Sequence, residues 1–142
     1  MHFLLLCFHI ICAICFIGYV FFDAVIFPFA YKKCSKEECD RIKASYTKAS
    51  GILFGIIFIS LLVSGGALLS YYDLKGVFAT SFGLFLGIKL FLIFCMFIIT
   101  AYAIFKIRFL KKEDPFRGKS HTIALVLSFL IVILAKAMLY YG

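Results

Sequence analysis

Four long apolar runs divide the chain, at approximately His2–Phe29, Gly51–Tyr71, Phe82–Ile107 and Thr122–Tyr141. Each reaches the roughly 20 residues that a helix needs to cross the hydrocarbon layer of a bilayer. None alternates polar with apolar positions, and all are too long for strands. The pattern predicts an all-α integral membrane protein, a single domain of residues 1–142 built as a bundle of four transmembrane helices. Pro28 marks the end of the first helix, because proline inside a helix removes a hydrogen bond and clashes with the preceding turn. The connector that follows, "YKKCSKEECDRIKASYTKAS", interleaves both charge signs at helical spacing and predicts helical extensions. In the second helix Gly51 and Gly55, then Ser60 and Ser64, repeat at four-residue spacing, with Gly65 and Gly66 beyond. Small residues so placed let membrane helices approach closely, so they are expected to pack. "DLKGVFATSF" and "KKEDPFRGKS" are short loops, and short loops make successive helices antiparallel neighbours.

Composition and charge sharpen this picture. A chain of 142 residues that is 65% hydrophobic falls outside the range of soluble domains. The net charge of +8 is not spread evenly. Lys32, Lys33, Lys36, Arg41, Lys43 and Lys48 separate the first two runs, while Lys106, Arg108, Lys111, Lys112, Arg117 and Lys119 separate the last two. The remaining loop carries only Lys75. Short basic loops stay in the cytoplasm, so both termini are expected outside. The basic excess is therefore a topology signal, suited to anionic lipid headgroups and not to nucleic acid. The N-terminus lacks a basic stretch, and its apolar run exceeds the hydrophobic region of a signal peptide. The first helix is thus expected to be retained, in a bacterial inner membrane with both termini periplasmic.

Six cysteines make no disulfide framework. Cys7, Cys12, Cys15 and Cys95 lie within helices, where they serve as small polarizable packing residues. Cys12 and Cys15 have the spacing of a redox or metal motif, but inside a spanning helix packing is the simpler role. Cys34 and Cys39 fall in a loop expected to be cytosolic and reduced.

Intramembrane polar residues carry the functional signal, since a charge in hydrocarbon costs roughly 2.5–3.5 kcal/mol on insertion scales. His9 lies roughly 10 Å inward from the outer start of the first helix, at about 1.5 Å per residue. Lys89 lies at a similar depth in the third helix, and Lys136 roughly 9 Å from the outer end of the fourth. Three helices thus bring one titratable residue each to the same outer layer. Snorkelling of both lysines to the interface is the bland alternative. Helical phase places His2, His9, Cys12, Phe16 and Asp23 on one stripe, and Lys89, Met96 and Thr100 on another. His121, Leu125, Phe129, Val132 and Lys136 share a face of the last helix. Asp23 and His121 form a second polar layer near the cytoplasmic surface, where a structural pair is expected.

Ligand chemistry follows from these side chains. His9, Cys12 and Met96 are soft or borderline ligands suited to copper, and histidine also ligates haem iron. Two ammonium groups would repel a bare cation by about 1–4 kcal/mol per pair, depending on local dielectric. They would favour a ligand with carboxylates. Haem b or a related tetrapyrrole combines an apolar ring, two propionates and an iron that takes a histidine, so it is preferred to copper.

At these residues the chain resembles the small membrane proteins related to the copper-resistance D (CopD) family and the HemJ type of protoporphyrinogen oxidase. "CFHIICAICFIGYVFFDAVIFP" resembles their first helix, with an early histidine, a glycine nine residues on and an aromatic run. "FGLFLGIKLFLIFCMFIITAYAIFKIR" resembles the third helix and "IVILAKAM" the lysine-terminated fourth. The resemblance implies that His9 is the haem-axial or catalytic histidine and that Lys89 and Lys136 are its polar partners. The chain departs from the HemJ type at Ile88 and Ala103, where a second histidine is usual. It departs again at "FRGKSHT", where an Asn-Glu pair is usual, while "EECDRIK" only loosely echoes a Glu-Arg stretch before helix two. These departures imply a divergent relative.

Three function classes remain. The first is an inner-membrane protein that binds a tetrapyrrole near its periplasmic face for redox or trafficking. The second is copper transport or copper tolerance. The third is a non-catalytic structural subunit, in a homo-oligomer or a larger membrane complex. Serine hydrolase, P-loop and zinc-protease chemistry have no motif here. Topology is directly testable. A membrane-impermeant maleimide applied to intact cells should leave Cys34 and Cys39 unlabelled, and labelling at either would reverse the orientation.

Overall fold

A computed structural model describes residues 1–72, 76, 80–108 and 119–141, with the side chains at 103, 104, 107 and 108 set aside. The loop lysines at 75, 111 and 112 and Arg117 lie outside the described residues. Among the described residues the chain is helical, with no strand, and four helices are long and apolar enough to cross a membrane. We label them α1 (His2–Phe21), α2 (Lys36–Leu69), α3 (Ser81–Arg108) and α4 (Ser120–Tyr141). Contacts divide the chain into two compact units, Met1–Tyr72 and Asp73–Gly142. The first pairs α1 with α2 and the second pairs α3 with α4.

The first helical stretch ends differently from the expectation that it runs unbroken to Phe29. Its α-helical part stops at Phe21 and passes into a π-helical turn, Phe22–Ile26, whose extra residue is closed by Phe27 N–H donating to Phe22 O. A 3-10 segment, Phe27–Lys32, follows with Pro28 in its first turn. Proline is tolerated there because first-turn N–H groups have no partner within the helix. The chain therefore stays helical past its proline.

The charged connector is helix for most of its length, as its charge pattern predicts, and α2 begins at Lys36 instead of Gly51. Ser35 is the reason. Its hydroxyl accepts from Glu38 N–H at 3.2 Å, and Glu38 Oε2 accepts from Ser35 N–H at 3.2 Å. This capping box satisfies two donors at the helix start, and Glu37 and Glu38 complement the positive end of the helix dipole. At 34 residues α2 is roughly 50 Å long, well beyond the roughly 30 Å of a hydrocarbon layer, so only part of it is a span. In the second unit, Thr80 Oγ1 accepts from Gly83 N–H at 3.3 Å at the start of α3.

Within the first unit the two helices run antiparallel. As residue numbers rise along α1, those of their partners on α2 fall in step. His2 meets Tyr71, His9 meets Ser64, Phe16 meets Phe58 and Phe54, and Tyr19 meets Phe54 and Ser50. Beyond the π turn, Phe27 meets Tyr46 and Tyr31 donates to Asp40 Oδ1 at 2.8 Å. Cys12, Phe16, Val20, Asp23 and Phe27 are buried on one side of this seam, and Phe58 and Ser64 of α2 on the other. The four-residue spacing of Cys12, Phe16 and Val20 is one face of a helix, and the π turn carries the burial on to Asp23 and Phe27.

Outward-facing positions are apolar as well. Ile14 on α1 is 65% exposed and Val63 on α2 is 67% exposed. The expected result of truncation follows. Phe16→Ala, which empties the stack on Phe54 and Phe58, should cost about 3–5 kcal/mol. Ile14→Ala should stay within about 0.5 kcal/mol. Unfolding equilibria of the two variants in detergent micelles check the contrast, and equal effects would mean the seam is wrongly placed.

Candidate functional site

His9 sits one helical turn before Cys12 on the packed face of α1, half-buried. Its Nδ1 lies 2.7 Å from Ser64 Oγ. Ser64 Oγ also lies 2.6 Å from Ser60 O and 3.3 Å from Leu61 O, and a carbonyl can only accept. The single hydroxyl proton of Ser64 therefore goes to its own helix, and its oxygen accepts from His9 Nδ1–H. In neutral His9 the proton is on Nδ1 and the basic lone pair on Nε2. A histidine that ligates a metal through one nitrogen commonly donates from the other in this way.

Gly65 shapes the same seat. A Cβ at Gly65 would fall 3.2 Å from His9 Cε1, tighter than ordinary contact. The small residues Ser60, Ser64 and Gly65 thus do more than let helices approach. Ser64 and Gly65 position the imidazole, a role hidden in the sequence behind the spacing that predicts packing. Nothing in the letters says which small residue faces which helix.

The other expected residues are placed as follows. Cys12 is buried on the seam, and His2 stacks edge-on against Tyr71 at 5.0 Å between ring centroids. Asp23, buried within the π turn, lies 3.4 Å from Lys43 Nζ and accepts from Tyr46 Oη at 3.3 Å. Asp23 is thereby tied to α2. Nearby, Tyr19 Oη donates to Ser50 Oγ at 3.1 Å. His121 belongs to the second unit, half-buried near the start of α4.

In that unit the rings of Phe85 and Tyr141 lie 6.5 Å apart, which sets the antiparallel register of α3 and α4. Four residues up one helix and five down the other reach Lys89 and Lys136, so the two lysines share a level of their hairpin. Lys89 is half-buried and Lys136 exposed, bordering a shallow apolar groove with Ile133, Ala137 and Tyr140. Met96 is buried on α3. The face expected on α4 is only partly the packed one. Leu125 is buried, but Phe129, Val132 and Lys136 are exposed, and Ser128 and Met138 are buried instead. Among the described residues no three His, Cys, Asp or Glu side chains gather as a metal cluster would.

No family model, curated protein or solved structure matches the chain. Chemistry at His9 has to be read from its own geometry. The imidazole tautomer provides the first measurement. Nitrogen-15 chemical shifts of neutral His9 should report a proton on Nδ1, and Ser64→Ala should move the population toward Nε2–H. A tautomer that ignores Ser64→Ala would remove the positioning role of that hydroxyl.

Proposed function

We propose that this chain is a multi-pass protein of a bacterial inner membrane that holds a haem-type tetrapyrrole through His9. Its apolar exterior supports the membrane. Each large side chain left in water forgoes roughly 1.5–3 kcal/mol of burial. Summed over the many exposed large apolar residues, of which Phe3, Ile14, Val63, Phe91 and Ile133 are five, the deficit exceeds the about 5–15 kcal/mol that holds a typical domain together. In hydrocarbon the same side chains are at no disadvantage. Lys32, Lys33, Lys36 and Arg41 gather at the end of the first hairpin where α1 turns into α2, and that basic end faces the cytoplasm. His2 and Tyr71, at the other end, then face the periplasm, with His9 a short way below them.

The observation that carries the cofactor is the bond from His9 Nδ1–H to Ser64. It fixes the plane of the ring and, with the proton on Nδ1, makes Nε2 the nitrogen through which a haem iron would be held. A single well-oriented histidine fits haem iron, whose other ligands come from the macrocycle. Bare copper needs several protein ligands, and His9 with Cys12 supplies two at most within its hairpin. When bound, haem supplies a redox-active iron. The chain's own part is to hold the imidazole, shelter it on the seam and keep its proton on Nδ1.

An absorption spectrum of the detergent-purified protein, with metal analysis of the same sample, tests this. The expected result is a histidine-ligated haem spectrum that is lost in His9→Ala. Ser64→Ala should bind haem about ten- to a hundred-fold more weakly, the usual cost of removing a hydrogen bond behind a ligand. Unchanged haem affinity in His9→Ala would remove the cofactor assignment. Copper without porphyrin would favour copper handling, and neither would favour a structural subunit.

A further inference from the structure

The turn between the first two helices reads Cys34-Ser35-Lys36-Glu37-Glu38-Cys39. Ser35 caps α2 and Glu38 closes the capping box, so Cys34 immediately precedes the cap and Cys39 is the fourth helical residue. Side chains at those two positions meet across a capping box, ordinarily as an apolar staple that fixes the angle of entry. Here the staple is made of thiols. Cys34 N–H donates to Ala30 O at 2.9 Å and Cys39 N–H to Ser35 O at 3.1 Å, so the backbone at both cysteines is tied. Burial, and after it the charge of the neighbouring Cys34, pushes the Cys39 thiol up, as suits a thiol that resolves and does not attack. Their exposures differ completely: Cys39 is 0% exposed, while Cys34 is open to solvent. Packing explains an enclosed cysteine. It does not explain an exposed one facing it across a cap.

We propose that Cys34 and Cys39 form a thiol–disulfide exchange site, with Cys34 the attacking thiol, Cys39 the resolving thiol and an anionic peptide disulfide as co-reactant. The Cys34 thiolate attacks one sulfur of the incoming disulfide, whose S–S bond breaks and releases one thiolate. The Cys39 thiolate then attacks Cys34 Sγ and expels the second. Two electrons and two protons pass from the cysteine pair to the disulfide, which leaves as two thiols, and an internal S–S bond remains on the chain. A reducing thiol pool reverses both steps. Exposed Lys32, Lys33, Lys36 and Arg41 outnumber exposed Glu37, Glu38 and Asp40 in this turn, and the two lysines just before Cys34 favour a negatively charged disulfide such as oxidised glutathione. The chemistry needs only the first hairpin and no bound cofactor.

Trypsin cuts after Lys33, Lys36 and Arg41, which places the two cysteines on separate peptides, Cys34–Lys36 and Glu37–Arg41. The full-length protein, treated with oxidised glutathione, alkylated and digested, should yield these two peptides joined by a disulfide. Cys39→Ala should instead accumulate the glutathione adduct on Cys34, because nothing resolves it. Cys34→Ala should lose both products and leave Cys39 unreactive, since it is enclosed. Cys39→Ser repeats the trapping with a closer isostere, and helical circular dichroism confirms that each variant is folded. A wild type that ends as a stable Cys34 adduct with Cys39 still free would overturn the proposal. So would a Cys34→Ala variant whose Cys39 reacts as fast as before.

Discussion

The stack of Phe16 on Phe54 and Phe58 sets how far α1 slides along α2, and the placement of each polar residue in the first hairpin depends on that setting. A shift by one helical turn would move His9 away from Ser64 and Gly65 and separate Asp23 from Lys43. Aromatic rings suit the task because they bury a large area and resist sliding past one another. Hydrophobicity alone could not hold this register if the hairpin lies in lipid, where every apolar contact has an equally apolar substitute. Shape and a few hydrogen bonds must do so instead.

Those hydrogen bonds are spread along the seam in order. His9 with Ser64 lies toward one end, Tyr19 with Ser50 beyond the middle, Asp23 with Lys43 and Tyr46 at the π turn, and Tyr31 with Asp40 beside the connecting turn. Each is made between side chains distant in sequence or on either side of a turn. Removing one leaves the others in place, but together they exclude other registers at which the rings could still stack. Polar contacts thus add specificity to a surface whose apolar contacts are permissive.

Much of this was legible from letter spacing, and the limits are physical. Of the stripe His2, His9, Cys12, Phe16 and Asp23, visible because polar or distinctive residues mark one face of α1, the last three are buried, His9 is half-buried and His2 is exposed at the helix start. The start of α2 was also encoded, in Ser35 and Glu38, but the lysines and glutamates around them resemble a solvated loop. On α4 the pattern fails for another reason. A helix that is apolar all round has no face that composition selects, so Ser128 and Met138 are buried by fit to a neighbour and Lys136 stays outside. The seat of His9 depends on which small residues oppose it, and no single helix contains that information.

The π turn at Phe22–Ile26 has a consequence for the chain's length. Such a turn accommodates one residue more than an ordinary turn, so it marks a place where the backbone count and the helical phase are out of step. Removing one residue there would let the hydrogen bonds revert to the usual four-residue step. Everything after it would otherwise rotate by about 100° relative to α1. With the bulge present, Phe27 still reaches Tyr46 and Tyr31 still reaches Asp40. The π turn therefore works like a vernier, absorbing a one-residue mismatch so that the segments before and after it can both stay aligned on the same partner helix.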